Sequence, residues 1–486
     1  MNSLVAVLDK EDENATQIAL TMLRALTSKK VETCGMASPT EIETRRTFEA
    51  LQNSDIRSHI VIACVSSQPL GEDEAQPIRL EKATMIFDGR ISPRKSILIR
   101  ENRKGKIQNH HENAETIVKE TEGDFTFVIA EPEEILAGRD SIGVRPLYYG
   151  ENTDVAALAS ERKVLWKAGI ENTVSFPPGH VAALDRKGFK FKPVKRLAYS
   201  KPEQTDMKTA SERLHGLLRQ SVKNRVFGLK EVAVAFSGGL DSSLIAFLTK
   251  DSGTRVSLIH VSLRGQAETE HAKRVADELK LPIHVCEFSE DDVKRVLPEV
   301  LWTIEEADPI NAGIAIPMYW AAKKAADMDL KVMLAGQGAD ELFGGYKRYV
   351  DCYMLHGEEK ARKSIFNDII RLNEANLERD FKIFNKQGVE LRLPFATYEM
   401  AKFASNLPLS LKIEPNANTL RKLVLRHVAQ DVGLSQSVVS KPKKAIQYTT
   451  GINNALKKMA KRSGLTINEY LQTLLQSTRK KMIRHE

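Results

Sequence analysis

Residues 232–246 read VAVAFSGGLDSSLIA, an apolar run that leads into a glycine pair and then into an acid and two serines. The pattern predicts a buried strand, a tight turn at Gly238 and Gly239, and a helix that starts near Ser242. Free backbone N–H groups and the helix dipole at such a turn favour a bound phosphate. Asp241 would repel that phosphate unless a Mg²⁺ ion lay between them, so the stretch predicts a phosphate loop with a metal-binding carboxylate.

The flanking sequence alternates between strand-like and helical runs. Strands are predicted at EVAVAFS, RVSLIHVSL and PIHVCEF, and helices at Thr209–Arg225, from Ser242, and at Glu268–Lys280. Alternation of this kind is typical of parallel strands joined by crossover helices. Residues 209–486 are therefore predicted to form an α/β domain with a parallel sheet, whose C-terminal part beyond about residue 340 is mostly helical.

Residues 1–195 show a different pattern. Short strand-like runs are separated by turn residues: SLVAVL, HIVIACV, ATMIF, SILI, DFTFVIA, EILAG and HVAAL. Helices are expected at Asn14–Ser28 and around His110–Glu122. Together these runs predict an α+β domain with layered sheets. The polar stretch 196–208, which contains Pro202, is predicted to link the two domains.

The predicted phosphate loop lacks the Gly-Lys-Ser or Gly-Lys-Thr ending of a Walker A site. SGGLDSS resembles instead the SGGxDS signature of the ATP pyrophosphatases, or PP-loop enzymes. That resemblance implies cleavage of ATP between its α- and β-phosphates, transfer of AMP to a substrate oxygen, and release of pyrophosphate. The alternative is a simple turn whose serines, Ser242 and Ser243, only cap the helix. The length and placement of the motif favour the functional interpretation.

A second loop of the same kind lies at residues 330–349, LKVMLAGQGADELFGGYKRY. An apolar strand again meets a glycine turn, followed by acids and aromatics. One interpretation is that Asp340 and Glu341 merely complement a helix dipole. Because the chain already has one phosphate-type loop, we favour Asp340 as a second carboxylate on Mg²⁺ or pyrophosphate.

Four segments, SGGLDSS, GQGADELFGGY, GVELRLPF and KPKKAIQYTTG, together resemble the synthetase domain of the asparagine synthetase family across about residues 209–455. The run 306–325, EADPINAGIAIPMYWAAKKA, is similar to the family's intervening segment. GDFTFVIA, AGRDSIGVRPLYY, ALASERKVLW and FPPGHVAAL resemble the class II glutamine amidotransferase domain that precedes it. The implied folds are an Ntn-hydrolase-like N-terminal domain and a PP-loop domain of the adenine nucleotide alpha-hydrolase type.

The resemblance implies that the β-carboxylate of aspartate attacks the α-phosphorus of ATP, and that ammonia then displaces AMP from β-aspartyl-AMP. Lys443 matches the family lysine that stabilises charge on the phosphoryl oxygens, although in isolation it reads as a solvated lysine of KPKK. The implied cofactors are ATP and Mg²⁺. The implied catalytic residues are Lys443, Asp340 and Gln337, the metal ligands are Asp241 and Asp340, and the nucleotide-binding residues are Ser237, Gly238, Gly239, Asp241, Ser242, Ser243, Gly336 and Gly338.

The N-terminal domain departs from the family at its nucleophile. Family members expose a cysteine at position 2 once Met1 is removed, and its α-amine serves as base. Asn2 stands there instead, and an amide cannot act as that nucleophile. Asp88 replaces an oxyanion-hole asparagine, and Cys34 is internal, so it carries no free amine. The domain is therefore expected to be a retained scaffold without glutaminase activity.

The synthetase domain departs from the family in two segments. Gln337 stands where the family commonly has a glutamate that helps to deprotonate the attacking amine, and an amide has no useful basicity. Ala396 and Thr397 replace a family Leu-Asp pair after GVELRLPF. The adenylation chemistry is expected to persist, while the acceptor acid and the nucleophile stay open.

Bulk properties restrict the partners. The net charge of +8 could indicate a nucleic-acid partner, but scattered basic residues without interleaved aromatics favour a polyanion pocket for ATP and a solvated basic tail at Lys457–Glu486. Four cysteines without paired spacing predict reduced thiols that fill the core. Without an apolar run of about 18 residues or a leader-like start, a cytoplasmic protein without membrane contact is expected.

Three functions follow from these observations. The first is an asparagine synthetase-type ligase that uses free ammonia, or ammonia delivered by another protein. The second is an amide-forming relative that acts on another carboxylic acid, as β-lactam synthetases do. The third is a non-catalytic ATP-binding regulator, against which the intact Asp241, Asp340 and Lys443 count. Aspartate or a related acid and ammonia are the expected partners, nucleic acid is not, and a homodimer is left open.

Overall fold

The computed structural model of the protein describes residues 2–11, 15–26, 33–66, 75–91, 109–416 and 419–485. Its contacts separate a unit that ends at Arg196 from a unit that begins at Leu197. Residues 197–206 form neither helix nor strand, and the next helix starts at Met207. The predicted strand SILI, residues 96–99, lies outside the described residues.

Two antiparallel sheets form the first unit. In the described residues their strand orders are β11-β9-β10-β1-β4-β2-β3 and β13-β12-β8-β7-β6-β5. The strands are β1 Asn2–Asp9, β2 Thr33–Ala37, β3 Ile42–Arg45, β4 Ile60–Ser66, β5 Ile78–Arg79, β6 Thr84–Ile91, β7 Gly123–Ala130, β8 Ile135–Arg139, β9 Tyr148–Glu151, β10 Val155–Ala159, β11 Val174–Ser175, β12 His180–Asp185 and β13 Gly188–Pro193. The helices are α1 Ala15–Leu26, α2 Phe48–Leu51, α3 His110–Glu120 and α4 Arg162–Lys167.

The alternation in β1 explains why the sheets stack. Side chains on a strand point to opposite faces in turn. Leu4 and Leu8 therefore pack with residues of the second sheet such as Val128, while Val5 packs on the opposite face with residues of α1 such as Leu23. The α+β class with layered sheets is confirmed, since both faces of β1 are buried.

A parallel sheet organises the second unit. Its strands are β14 Glu231–Ala235, β15 Arg255–Leu263, β16 Ile283–Phe288, β17 Val332–Leu334 and β18 Glu390–Arg392. Within the described residues they run in the order β16-β15-β14-β17-β18, and every neighbouring pair is parallel. After β14 the chain adds β15 and β16 on one side of that strand, and it later adds β17 and β18 on the other side. The strand order therefore reverses between β14 and β17, and the α/β prediction is confirmed.

Helices cover this sheet and make up the C-terminal part. They are α5 Met207–Val226, α6 Leu240–Asp251, α7 Ala267–Leu279, α8 Glu290–Ile304, α9 Pro309–Asp327, α10 Ala339–Phe343, α11 Lys347–His356, α12 Glu358–Ile370, α13 Glu378–Lys386, α14 Tyr398–Asn406, α15 Leu423–Asp431, α16 Gln436–Val439, α17 Ile446–Thr449, α18 Ile452–Arg462 and α19 Ile467–His485, with a π-turn at Asn373–Leu377 and a 3₁₀ turn at Leu409–Leu411. Among the described residues, every helix is too short or too polar to cross a bilayer.

Two predictions about composition are refined by the structure. The described basic side chains of the predicted tail, Lys457–Glu486, are largely exposed, while its helices α18 and α19 bury Met459 and Leu471. The cysteines are free thiols, but only Cys34 and Cys64 fill the core. Cys286 and Cys352 are half-buried, because β16 is an edge strand and α11 buries few of its residues.

Candidate active site

Two loops meet at the carboxyl ends of the neighbouring strands β14 and β17. β14 leads through the glycine loop Ser237–Gly239 into α6, and β17 leads through Gly336–Gly338 into α10. The loops touch, since a Cβ on Gly336 would lie 3.0 Å from the Cβ of Asp241. The junction is the point where the strand order reverses, which is where open α/β sheets bind their ligands.

The glycine loop is folded by its own hydroxyl groups. Ser242 donates to the carbonyl of Gly239 at 3.2 Å and accepts from the backbone N–H of Ser237 at 3.3 Å. Gly239, at the helix N-cap, has no side chain with which to satisfy the first N–H groups of α6. The expected serine cap is therefore corrected: Ser242 bonds backward to the loop, and the Ser243 side chain is fully buried.

Gly238 is required by the approach of a neighbouring helix. Its φ of 66° lies in the left-handed region, and a Cβ there would come within 2.9 Å of the backbone of Ala272. A side chain at this position would push α7 away from the loop. The loop and α7 are therefore packed in direct backbone contact at this position.

Four charged side chains form the centre of the site. The ammonium group of Lys422 lies 2.8 and 2.7 Å from the two carboxylate oxygens of Asp241 and 2.7 Å from Oδ1 of Asp340. The ammonium group of Lys443 lies 2.8 Å from Oδ2 of Asp340 and 3.9 Å from Asp241. Two carboxylates and two ammonium groups therefore alternate at the ends of two adjacent strands.

The charges perturb one another strongly. Burial alone would raise the pKa of Asp340, but Lys422 and Lys443 hold it far below the usual range. Burial would lower the pKa of Lys443, but Asp340 and Asp241 raise it above its ordinary value. Both groups are therefore ionised at neutral pH, so the site offers fixed charges of both signs.

Sequence reasoning missed Lys422. The residue precedes α15, adopts a φ of 60° and is almost fully buried, although it stands 181 positions after its partner Asp241. Nothing local distinguishes it, because LRKLVLRH reads as an ordinary basic helix start. A buried lysine needs a paired acid, and only the fold shows that pairing.

The acids and amides beside this centre form a second polar group. The buried carboxylate of Glu341 accepts hydrogen bonds from the phenol of Tyr346 and from Asn376, the latter at 2.7 Å. Burial, together with the nearby Asp340, raises the pKa of Glu341. Gln337 contacts the sulfur of Met318 at 3.7 Å, a weak acceptor, so its amide can still bond a ligand. Glu341 is thus bound to its neighbours, and does more than complement a helix dipole.

A cavity of about 740 Å³ surrounds these groups, within the usual range for a ligand pocket. Of the predicted site residues, it is lined by Ser237, Gly239, Asp241, Ser242, Gly336, Gln337, Gly338, Asp340 and Lys443. Gly238 and Ser243 are not among its lining residues, since one backs onto α7 and the other is buried. Lys422, Arg379 and Asn376 also line the cavity, although no motif indicated them.

The donor set fits one Mg²⁺ ion. Oxygens of Asp241 and Asp340 converge on a single cation, the ammonium group of Lys422. Oδ1 of Asp340 is buried, and its contact among the described residues is the ion pair with Lys422. The described residues contain no cluster of three His, Cys, Asp or Glu for a metal ion. Mg²⁺ commonly uses one or two carboxylates and completes its shell with phosphates and water.

In the first unit, Asn2 stands where the family has its nucleophilic cysteine, and neighbouring groups bind its side chain. The side chain of Asn2 donates to the carbonyl of Phe87 at 3.0 Å and accepts from Ser66 at 2.6 Å. Its backbone N–H donates to Asp88, whose carboxylate lies 3.6 Å from the guanidinium group of Arg145. These contacts satisfy the amide, and the position has no sulfur.

The two cysteines of the first unit, Cys34 and Cys64, are free and buried. Burial raises the pKa of Cys34 to about 11 and that of Cys64 to about 12. A thiolate is the nucleophilic form of cysteine, so neither residue supplies one near neutral pH. In the second unit, Thr397, the other noted departure, accepts from the N–H of Met400 at 3.1 Å and caps α14.

Sequence comparisons agree with this organisation. The asparagine synthase family model matches residues 213–357 and 350–479, and a glutamine amidotransferase domain model matches residues 65–167. A protein of Methanocaldococcus jannaschii, provisionally named glutamine-hydrolyzing asparagine synthetase 1, is 30% identical over 98% of each chain. The glutamine-hydrolyzing asparagine synthetase of Triphysaria versicolor is 28% identical, over 66% of this chain and 56% of that protein.

The solved structures are more distant. Glutamine phosphoribosylpyrophosphate amidotransferase of B. subtilis gives a TM-score of 0.35 at 14% identity, over 58% of this chain and 80% of that chain. The asparagine synthase match, in contrast, reaches from residue 213 to residue 479, more than half of the 486 residues. With a relative that aligns along 98% of its length, the chain belongs to the asparagine synthetase family of ATP-dependent amide ligases.

Proposed function

We propose that the protein adenylates the side-chain carboxylate of aspartate with ATP and transfers ammonia to it, giving asparagine, AMP and pyrophosphate. The observation that carries this proposal is the alternating cluster of Asp241, Lys422, Asp340 and Lys443 at the ends of β14 and β17. In this proposal residues 209–486 form the synthetase domain, 196–208 the linker, and 1–195 a retained scaffold.

The cluster supplies what the first step needs. A carboxylate oxygen of the acid forms a bond to the α-phosphorus, and the bond from that phosphorus to the bridging oxygen breaks, so pyrophosphate leaves. Mg²⁺ held by Asp241 and Asp340 would neutralise phosphate charge. The ammonium groups of Lys422 and Lys443 can then pair with phosphate oxygens, and Lys443 stabilises the charge that builds up there.

The second step needs only a positioned amine. Ammonia attacks the acyl carbon of the mixed anhydride, AMP leaves with the bonding electron pair, and the nitrogen loses a proton to solvent. Gln337 lines the cavity and can orient the amine through its side-chain carbonyl, but it cannot remove the proton. Ammonia has a free lone pair and can attack before it loses a proton, so a residue that only orients it is sufficient for this step.

In this proposal the nitrogen enters as ammonia, because neither position 2 nor the two buried cysteines among the described residues of the first unit offers a nucleophile for glutamine. The amide of Asn2 is bound to Phe87 and Ser66, and burial raises the pKa of both cysteines described in this unit, Cys34 and Cys64. A partner protein that releases ammonia would serve equally well.

The first prediction concerns the reaction itself. With ATP, Mg²⁺, aspartate and ammonium, the protein should release pyrophosphate, AMP and asparagine in equal amounts, measured by a coupled phosphate assay and by amino-acid analysis. Asp241→Asn should abolish the release, because it removes a charge that holds the metal. Asp251→Asn, at the exposed end of the same helix, is the matched control and should leave the rate unchanged.

The second prediction concerns the nitrogen source. Glutamine freed of ammonium should give no pyrophosphate release above background and no glutamate, because Asn2 replaces the nucleophile and burial disfavours the thiolate forms of Cys34 and Cys64. Ammonium at the same concentration should support turnover. Accumulation of glutamate in step with asparagine would refute the scaffold role of residues 1–195.

One observation supports an alternative function, in which the protein acts on a carboxylic acid other than aspartate. Gln337 stands beside Met318 in the cavity where a basic side chain would assist an amine, so the pocket is altered on its acceptor side. If aspartate gives no pyrophosphate release while another carboxylic acid does, the protein is an amide ligase of that acid. Absence of release with every acid would support an ATP-binding regulator instead.

A further inference from the structure

Helix α7 contacts both loops of the site from one face. Glu268 and His271 are three positions apart, so their side chains lie next to each other on the helix surface. Glu268 reaches the lysine loop, defined here as residues 439–445, and His271 reaches the glycine loop. Neither residue was predicted to belong to the site, although Glu268 lines the cavity.

Glu268 binds the two lysines that flank Lys443. Its carboxylate lies 2.6 Å from the ammonium group of Lys441 and 3.2 Å from that of Lys444. The contact with Lys441 is mostly buried on both sides, whereas Lys444 is largely exposed, so the first contact should contribute more. Among the described residues of this loop, Lys443 is the lysine whose ammonium group contacts Asp340.

His271 ties the same helix to the glycine loop. Its Nε2 lies 2.9 Å from the carbonyl oxygen of Gly238, and since a carbonyl only accepts, the ring nitrogen carries the proton. The backbone of the next residue, Ala272, fills the space where a side chain on Gly238 would stand. The glycine loop therefore cannot shift without moving α7.

The backbone of the lysine loop is held from its other side. Arg426 donates to the carbonyl of Lys441 at 2.9 Å and to that of Val439, and Arg421 donates to the carbonyl of Lys443 at 3.1 Å. These bonds restrain the path of the chain. The contacts of Glu268 are with the side chains of Lys441 and Lys444, whereas the side chain of Lys443 points to Asp340.

We propose that Glu268 is a positioning residue that holds the lysine loop against α7, so that Lys443 stands at a fixed distance from the glycine loop. By neutralising Lys441 and Lys444, it also keeps them from competing for the triphosphate. This inference rests on the proposed function for its kinetic consequence. A displacement of about 1 Å in a catalytic group can cost on the order of 10²-fold in rate.

The kinetic test separates positioning from binding. Glu268→Gln should lower kcat for pyrophosphate release by about 10- to 10²-fold, with the KM for ATP changed less than about threefold, because the lysine is misplaced rather than removed. Glu268→Asp keeps the charge and should recover part of kcat. Glu270→Gln, an exposed acid two positions along the same helix, makes the same charge change and should leave kcat unchanged.

A structural test needs no turnover. In hydrogen exchange, the backbone amides of residues 439–445 should exchange faster in Glu268→Gln and in Lys441→Gln, which breaks the same pair from the other side. They should be unchanged in Glu270→Gln. If Glu268→Gln does not fold, both the kinetic and the hydrogen-exchange measurements can be made on Lys441→Gln instead.

Two results would overturn the proposal: normal kcat with normal loop protection in Glu268→Gln, or a loss of rate that Glu270→Gln shares. A wild-type protein inactive on every acid would refute the proposed function, yet the exchange measurement would still decide whether Glu268 holds the loop.

Discussion

Replacing Lys443 with alanine should lower the rate of pyrophosphate release by about 10³-fold while the protein stays folded. The ammonium group lies beside the carboxylates of Asp241 and Asp340, and these acids raise its pKa, so it stays charged where the proposed mechanism places the phosphoryl oxygens. Its removal withdraws one fixed charge from that point. Single-turnover release of pyrophosphate from saturating ATP and acid measures the effect directly.

The control for this variant is Lys457→Ala, the same substitution at an exposed position of α18. It should leave both rate and melting temperature unchanged. Lys443→Ala should melt within a few degrees of the wild-type protein, because Lys422 still bridges Asp241 and Asp340. A rate for Lys443→Ala within tenfold of wild type would show that another group stabilises the transferred phosphoryl oxygens.

Gly345→Ala should be nearly as damaging, although it alters no charge. A Cβ at this position would lie 1.9 Å from Oδ1 of Asp340 and 2.5 Å from Cε of Lys422, so the methyl group would separate the pair. We expect a loss of about 10²-fold in kcat/KM from the displaced carboxylate. Overpacking should also cost about 1–3 kcal/mol of stability, measured by urea unfolding.

Gly216→Ala is the matched control, because a Cβ on that residue of α5 would meet nothing within 4 Å. It should keep full activity and gain a little stability, since alanine is the better helix former. Wild-type activity in Gly345→Ala would mean that Asp340 and Lys422 need not touch for turnover. The proposed charge arrangement would then be incorrect.

Local patterns predicted the elements well. The apolar run SLVAVL indicated a strand, and VAVAFSGGLDSS indicated a strand, a turn and a helix within two residues of the observed positions. These signals survive in the fold because the side-chain periods of strands and helices depend on neighbouring residues alone. Asp241 and Asp340 were found by the same reasoning, since each follows a strand and a glycine turn.

The contacts between distant segments could not be predicted in this way. Ser243 stands in the motif, yet the helix turns its hydroxyl into the interior. Lys422 and Glu268 belong to no motif, yet one bridges the carboxylates and the other holds the lysine loop. A helix start such as QAETEH gives no sign of its partners, because a side chain pairs with what the fold brings near it.

The sequence by itself determined the strands, the glycine turns and the two carboxylates that follow them, because each depends on residues a few positions apart. The tertiary structure decided that Lys422 meets Asp241 across 181 positions and that Glu268 meets Lys441 across 173. Those pairs depend on the order of the parallel strands and on helices packed against their ends, and packing of that kind is a property of the whole second unit.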